Sequence, residues 1–158
     1  MNKIAIYPGC FDPITLGHID IIERASLIFD SLHIVIAENL QKNSMFTAIE
    51  RLNMAINSVK HIENVIVTIH SGLISDYAKE IGAVALVRGI RTLSDVDYEF
   101  QMAYFNRKLA PQISTVFMAP VNEYTYISSS AVRELIKLKQ DISEFVPDFT
   151  AEFIKNRI

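Results

Sequence analysis

The chain has 158 residues, of which half are hydrophobic and 21% charged, and its formal net charge is −3. This composition argues against disorder, and the acidic balance with scattered basic residues argues against a nucleic-acid partner. No apolar run nears the roughly 20 residues of a membrane span, so no membrane partner is expected. With no signal-peptide pattern at its N-terminus and one cysteine that cannot form an internal disulfide, the sequence predicts a cytoplasmic protein.

Apolar runs with strand character alternate with helical patterns along the whole chain. Strands are predicted at 3–7, 32–38, 64–70, 83–89 and 114–120, and helices at 17–30, within 46–55, and at 73–82, 95–111, 128–139 and 147–157. Thr47 and Glu50 form a capping-box pattern, and Gly82 is typical of a residue just past a helix end. This order predicts an α/β fold in a single domain over 1–158: a doubly wound parallel five-stranded sheet with helices on both faces.

In such sheets ligands bind beyond the carboxyl ends of the strands, so the residues that follow each strand matter most. The first strand is followed by "PGCFDPITLGH", which is neither a dinucleotide-binding glycine motif nor a Walker A motif. Gly9 lets the backbone approach a ligand, and the helix predicted to begin at Gly17 and His18 offers N–H groups that favour a phosphate. The alternative is a tight turn whose histidine caps the helix or packs locally.

Basic side chains follow two other strands. Arg88 and Arg91 in "RGIR" are placed to grip phosphates, unless they merely pair with Asp95, Asp97 or Glu99. A lysine at position 42 follows the second strand, where a lone lysine is usually only solvated.

Three consecutive serines, at positions 128–130, open a helix after the fifth strand. They are either ordinary capping residues or polyphosphate ligands. Because the ends of parallel strands meet at one edge, these groups and the basic ones together predict a site for several phosphates.

Longer stretches resemble a known family. The segments "GCFDPITLGH" and "YISSSAVRE" resemble the two signatures of the nucleotidyltransferase superfamily. The segments "GLISDYAKEIGA", "LVRGIRTLSDVDYEFQMAYFNRKLAP" and "DISEFVP" are similar to the phosphopantetheine adenylyltransferase family, in the same order and over nearly the whole chain. The resemblance implies a Rossmann-like nucleotidyltransferase fold and a reaction, in coenzyme A biosynthesis, of ATP with 4′-phosphopantetheine that gives dephospho-coenzyme A and pyrophosphate with magnesium.

The resemblance also implies roles for individual residues. The catalytic set would be His18, which stabilises the α-phosphate in the transition state, with Lys42 and Arg91. The 4′-phosphopantetheine site would comprise Cys10, Lys42, Ile74 and Arg88. The nucleotide site would comprise Cys10, Phe11, His18, Gly89, Ile90, Arg91, Glu99, Tyr124, Thr125, Tyr126, Ile127, Ser128, Ser129 and Ser130. The family further implies a homohexamer and raises the question of coenzyme A as a feedback ligand.

The sequence departs from the family pattern at Cys10, where the family usually has threonine or serine. Because S–H is a weak donor, we expect substrate binding to survive, weakened, with backbone N–H groups taking more of the load. A nucleophilic Cys10 is rejected, because the family residue there is a ligand and a phosphate monoester is already largely dianionic at neutral pH. A second departure is "NLQK", without the proline often found in that loop, which is expected to loosen the loop and keep the lysine.

No His, Cys and carboxylate cluster stands at metal-ligand spacing in these stretches, so magnesium is expected to be held mainly through the ATP phosphates and no protein metal ligand is predicted. Asp12 and Glu99 could assist the ion from its outer shell, but Asp12 is expected rather to be a turn residue that bonds its own backbone.

Two rival interpretations stay open at this stage. One is another nucleotidyltransferase of the same fold, such as an NMN adenylyltransferase or a cytidylyltransferase. The other is a nucleotide-sensing module that has lost the chemistry. The "ISSS" signature with the "RGIR" to "DYEFQMA" block disfavours the first. The presence of His18, Lys42, Arg88 and Arg91 disfavours the second, and only Cys10 favours it.

Overall fold

Five parallel strands form the centre of the structure, which is a computed structural model that describes residues 2–38 and 43–158. The strands are β1 (Ile4–Gly9), β2 (Ser31–Ala37), β3 (Val65–His70), β4 (Ala85–Gly89) and β5 (Ser114–Met118). They lie in the order β3-β2-β1-β4-β5, and every neighbouring pair is parallel. The predicted five-stranded parallel α/β sheet is confirmed.

Helices cover both faces of this sheet. They are α1 (Leu16–Ser26), α2 (Ala48–Val59), α3 (Ile74–Glu80), α4 (Leu93–Leu109), α5 (Ser129–Lys137) and α6 (Asp148–Arg157). The larger core cluster joins one sheet face to α1, α2, α5 and α6, and the smaller one joins the other face to α3 and the segment after α4. No helix in the described part of the chain is long and apolar enough to cross a membrane.

The helix-end signals predicted from the sequence are present in the structure. The Thr47 hydroxyl accepts the Glu50 N–H, and the Glu50 carboxylate accepts the Thr47 N–H, so the predicted capping box opens α2. Gly82 has a φ of +68°, the left-handed conformation expected just past α3. The first helix ends at Ser26 instead of residue 30, because Asp30 already turns into β2 and its carboxylate accepts the Lys3 N–H.

The sheet opens where β1 and β4 part. Their pairing covers only Ala5 with Ala85 and Ile6 with Leu86, although β1 continues beside β2 as far as Gly9. Pro8 lies in the end of β1 that is paired with β2 and not with β4, so its lack of an N–H costs no bond to β4. Strand order reverses between β1 and β4, and ligands of doubly wound sheets bind at such a point. The fold therefore places a crevice beside the residues that follow β1 and β4.

Candidate active site

A cavity of about 480 Å³ lies beyond the carboxyl ends of β1 and β4. Its wall combines the loop between β1 and α1, the end of β4, one residue of α4 and the start of α5. The polar or functional residues that line it are Cys10, Asp12, Thr15, His18, Asn43, Ser44, Arg88, Arg91, Glu99, Ser128, Ser129, Ser130 and Arg133. Three arginines outnumber two carboxylates there, so the charge suits an anionic ligand.

Most residues expected at the nucleotide site meet at this cavity. Those that line it are Cys10, Phe11, His18, Gly89, Arg91, Glu99, Ile127, Ser128, Ser129 and Ser130, together with Arg88 from the expected acceptor site. Their roles stay predictions.

The other predicted residues within the described ranges do not line the cavity. The Ile90 N–H donates to the Met118 carbonyl, and Ile74 opens α3 and packs on the smaller core cluster. Tyr124, Thr125 and Tyr126 lie in and after a single 3₁₀ turn, where the Tyr126 side chain is exposed. The Lys42 prediction lies outside the described residues.

His18 closes the first turn of α1 with one ring nitrogen. Thr15 is the N-cap of α1, and the Thr15 N–H donates to His18 Nδ1 at 3.0 Å, while the His18 N–H reaches Thr15 Oγ1 at 3.4 Å. The local capping role is therefore real. A ring that accepts a hydrogen bond at Nδ1 carries its proton on Nε2, which leaves Nε2–H as a donor to a ligand.

The surroundings of His18 keep the ring neutral. Burial, and then the positive charge of Arg91, lower the pKa of His18 to about 4 from 6.5. The ring of Phe11 meets it edge to face with centroids 5.0 Å apart. At neutral pH His18 therefore offers a fixed, uncharged N–H donor to the cavity, and not the additional positive charge that a protonated imidazole would bring.

Arg88 is held across the gap between β1 and β4. Its Nε and Nη2 donate to the two carboxylate oxygens of Glu99 at 2.7 Å each, and Nη1 donates to the Pro8 carbonyl at 2.9 Å. One of the alternative partners named from the sequence is thus correct. Because a guanidinium has five N–H groups, two remain after these bonds, and Arg88 can donate to a phosphate while staying fixed.

Arg91 lies on the side of the cavity nearest α5. Its Nη1 donates to the Ile127 carbonyl at 3.1 Å, and its Nε lies 3.5 Å from the Asp95 carboxylate. These two contacts direct the guanidinium toward the start of α5 and leave further N–H groups for a ligand.

The three serines at the start of α5 all have structural partners. Ser128 caps the helix by accepting the Ala131 N–H at 3.1 Å. The Ser129 hydroxyl donates to the Pro13 carbonyl, and Ser130 Oγ accepts a bond from Arg133. Capping chemistry is thus present, and the hydroxyls of Ser128 and Ser130 keep their protons for a ligand in the cavity.

Arg133 was not assigned to the site from the sequence, although it stands in the quoted segment "YISSSAVRE". Its Nη1 donates to the Asp12 carbonyl at 2.7 Å, and its side chain lines the cavity. The signal that could have found it is its spacing from Ser130, since residues three apart on a helix share a face.

The expectation that Asp12 bonds its own backbone is wrong. Its carboxylate accepts the N–H groups of Met45 and Phe46 at 2.9 and 3.0 Å, and only 5% of the residue is exposed. Asp12 therefore ties the loop after β1 to the segment before α2. That pairing depends on long-range folding, which the local turn pattern could not reveal.

The carboxylates at the cavity are already engaged. Asp12 accepts two backbone N–H groups, and Glu99 accepts two from Arg88. Among the described residues, no group of three His, Cys, Asp or Glu side chains converges as a metal cage would. This donor set suits a magnesium ion that arrives on phosphate oxygens, since Mg²⁺ commonly keeps waters and substrate phosphates as ligands.

Comparison with known proteins agrees with the fold. Residues 6–135 match the family model described as cytidylyltransferase-like. A solved structure described as a putative nicotinate-nucleotide adenylyltransferase from Vibrio parahaemolyticus aligns with a TM-score of 0.75, covering 99% of this chain and 93% of that one at 20% identity. At that identity it supports the fold alone. The chain is therefore an enzyme of the cytidylyltransferase-like class of nucleotidyltransferases.

A curated relative narrows the class. A phosphopantetheine adenylyltransferase from Alkaliphilus metalliredigens (strain QYMF) is 46% identical over 155 residues, which are 98% of this chain and 99% of that protein. The chain belongs to the phosphopantetheine adenylyltransferase family.

Proposed function

We propose that this protein transfers the adenylyl group of ATP to 4′-phosphopantetheine, giving dephospho-coenzyme A and pyrophosphate. A phosphate oxygen of the acceptor attacks the α-phosphorus, a new P–O bond forms, and the α–β bridging bond breaks so that pyrophosphate leaves with the bonding electrons. No covalent enzyme intermediate is needed, because the acceptor phosphate is itself the nucleophile. The observation that carries the proposal is the convergence of three arginines and a neutral histidine on one cavity.

Two polyanions must meet in this reaction, so the chain's main tasks are positioning and charge stabilisation. His18 Nε2–H would donate to a nonbridging oxygen of the α-phosphate, where charge develops in the transition state. A neutral donor on a capped helix end stays in place throughout the reaction, because Thr15 holds the opposite ring nitrogen.

Arginine and lysine side chains would hold the two substrates. Arg91, beside the α5 N-terminus, would take the phosphates of ATP with Ser128 and Ser130, and Arg88 would take the acceptor phosphate with its two remaining N–H groups. Lys42 and Ile74 enter this proposal through family resemblance, and Mg²⁺ bound to ATP would neutralise charge on the leaving pyrophosphate.

The experiment is a pyrophosphate-release assay with ATP and 4′-phosphopantetheine. Parallel reactions replace the acceptor with NMN or nicotinate mononucleotide, or replace ATP with CTP. Release only with ATP and 4′-phosphopantetheine is expected. Release with another pair would instead support a rival transferase, and ATP binding without release would support a sensing module.

A Cys10→Thr variant in the same assay measures how far the thiol lowers activity. We expect higher activity in this variant, because a hydroxyl is a better hydrogen-bond donor than a thiol.

His18→Ala tests the proposed transition-state donor. Loss of one well-placed donor of this kind costs about 10²–10³ in kcat. We expect that loss with an intact circular dichroism spectrum, because only one helix cap is weakened. Turnover within about threefold of the wild type would contradict the role proposed for His18.

The homo-oligomer implied by resemblance has support in one surface. Only Glu99 of α4 is buried, although the helix is 17 residues long. Its exposed apolar residues are Leu93, Tyr98, Phe100, Met102, Tyr104, Phe105 and Leu109. We propose that this surface, the α4 face, is covered by other copies of the chain in a hexamer, since seven exposed large apolar side chains on one helix indicate an interaction site. A cytoplasmic location and coenzyme A as a feedback ligand stay predictions.

A further inference from the structure

Arg51 is a buried cation that the site described above does not include. It lies on α2 with only 3% of its surface exposed. Its Nη1 donates to the carbonyl oxygens of Cys10 and Ala37 at 2.7 and 3.3 Å, and its Nε donates to the Phe46 carbonyl at 3.2 Å. Within the described residues it forms no ion pair. A charge buried on carbonyls alone is uncommon, because desolvating an ion is costly without a counter-charge.

The three carbonyls come from three segments that border the cavity region. Cys10 follows β1, Ala37 ends β2, and Phe46 precedes α2. One guanidinium therefore fixes the relative positions of the two loops at this edge of the sheet. Asp12 also joins the loop after β1 to the segment before α2, because its carboxylate accepts the N–H groups of Met45 and Phe46.

The bond from Arg51 to Cys10 also orients the next N–H group. In a trans peptide the carbonyl oxygen and the following N–H point in opposite directions, and the peptide between Cys10 and Phe11 is trans. Because the Cys10 carbonyl points toward the buried Arg51, the Phe11 N–H points away from Arg51. No acceptor for that N–H is found in the described part of the chain, and both residues line the cavity.

The backbone at Phe11 needs such support. Its φ is +48°, a left-handed conformation that bulky residues seldom adopt. The Phe11 ring is buried against Tyr7 and His18, with centroids 5.4 and 5.0 Å away. Packing of the Phe11 ring and the hydrogen bond from Arg51 to the preceding carbonyl together hold Phe11 in this conformation.

We infer that Arg51 is a positioning residue of the nucleotide site, which holds the Cys10 carbonyl so that the Phe11 N–H faces a phosphate of the nucleotide. The inference rests on the proposed function for the identity of the ligand. The Phe11 N–H is then a backbone donor directly beside Cys10, the position where the family usually has a hydroxyl residue. A purely structural role, in which Arg51 only fastens α2 to the sheet, is the alternative.

Binding of ATP alone, measured by calorimetry without acceptor, separates these two roles. Arg51→Met keeps the aliphatic stem and removes every donor, and Arg51→Lys restores the charge. We expect Arg51→Met to weaken ATP binding about tenfold, the effect of one lost hydrogen bond to a charged group, and Arg51→Lys to recover part of it. Ser58→Ala is the matched control, because Ser58 is buried on the same helix, bonds Met54 and Thr150, and lies away from the cavity.

A spectroscopic readout reports the N–H group itself. With ¹⁵N-phenylalanine labelling, the Phe11 amide resonance, assigned through Phe11→Leu, should move downfield when the wild type is saturated with ATP. In Arg51→Lys and Arg51→Met that movement should shrink, while in Ser58→Ala it should persist. This measurement decides the question in the wild type and the lysine variant even where Arg51→Met does not fold.

The outcomes separate the inference from the proposed function. An unmoved Phe11 amide in the ATP-saturated wild type, or Arg51 variants that bind ATP as Ser58→Ala does, would overturn the role of Arg51 and leave the transferase assay untouched. A wild type that binds ATP with the Phe11 shift and yet releases no pyrophosphate would overturn the proposed reaction and leave Arg51 as a positioning residue for ATP.

Discussion

At His18, helix capping and ligand recognition use different nitrogens of one ring. Nδ1 accepts the Thr15 N–H, and Nε2 is left for the cavity. Sequence reasoning treated capping and function as alternatives, whereas the structure makes capping the device that fixes the tautomer. The lowered pKa follows from burial and from Arg91, so the donor stays neutral over the whole physiological range.

The lowered pKa of His18 predicts an acid-dependent loss of stability. The unfolded state binds a proton near pH 6.5 and the folded state only near pH 4, so the free energy of unfolding falls as the pH drops through this window. His18→Gln keeps a capping-box residue at the same helix position and cannot titrate. Between about pH 8 and pH 5, we expect the wild type to lose about 1–2 kcal/mol more than His18→Gln in urea titrations. Parallel curves would contradict a ring that is held neutral in the folded state.

The residues that sequence reasoning found and missed differ in a physical way. His18, Arg88 and Arg91 stand directly after strands, where the topology alone predicts that they meet. Arg51 sits in the middle of an amphipathic helix, where an arginine is ordinarily solvated, and its burial depends on three carbonyls brought together by folding. Asp12 was missed for the same reason, since both of its partners are more than 30 residues away in the chain.

Among the elements, α4 has a single buried side chain. Glu99 is its only buried residue, and it pairs with Arg88 across to β4 with two bonds of 2.7 Å. The two side chains are 10% and 24% exposed, so removal of one leaves a largely buried charge. The ion pair that orients the site therefore also attaches the helix, together with the contact of Phe100 on the Phe117 ring at a centroid distance of 5.1 Å.

Glu99→Ala should accordingly lower the free energy of unfolding by about 2–3 kcal/mol. This is less than the loss expected on breaking a fully buried ion pair, because Arg88 is partly accessible to solvent. Asp97→Ala, on the exposed side of the same helix, is the control and should change stability by less than about 0.5 kcal/mol. Chemical denaturation measures both. Equal effects of the two substitutions would show that the Arg88 pair does not anchor α4.

Element boundaries were predictable to the extent that local signals set them. The capping box of Thr47 and Glu50 and the glycine after α3 both identified real helix ends. β1 runs two residues further than predicted, through Pro8 and Gly9, because it remains paired with β2 after it has left β4. Which neighbour a strand keeps is a property of the sheet, and the strand's own residues do not encode it.

At the scale of the whole molecule, the two sides of the sheet are covered unequally. Four helices pack on one face, and α3 with the segment after α4 covers the other more thinly, which leaves the α4 face bare. The alternating strand and helix patterns were enough to predict the layered fold. They could not predict this asymmetry, because α4 has apolar residues all around its circumference and no preferred side to bury.

The α4 face gives a prediction about assembly. Tyr104 and Phe105 are 71% and 66% exposed in the single chain. If the proposed hexamer forms through this face, Tyr104→Glu should lower the mass measured by light scattering from six chains to a smaller species, because a carboxylate would be buried at the contact. Leu27→Glu, at an 86% exposed leucine after α1, is the control and should leave the mass unchanged. An unchanged mass in Tyr104→Glu would place any contact between copies elsewhere.

The exposed thiol of Cys10 is the sole cysteine of the chain, and it stands in the cavity wall. An alkylating reagent should therefore modify one atom per polypeptide, and bound ATP should shield that atom and slow the labelling followed by intact mass spectrometry. Labelling at the same rate with and without saturating ATP would count against a nucleotide in this crevice. If shielding is seen, an electrophilic inhibitor could be tethered at this position, and relatives that carry a hydroxyl there would escape it.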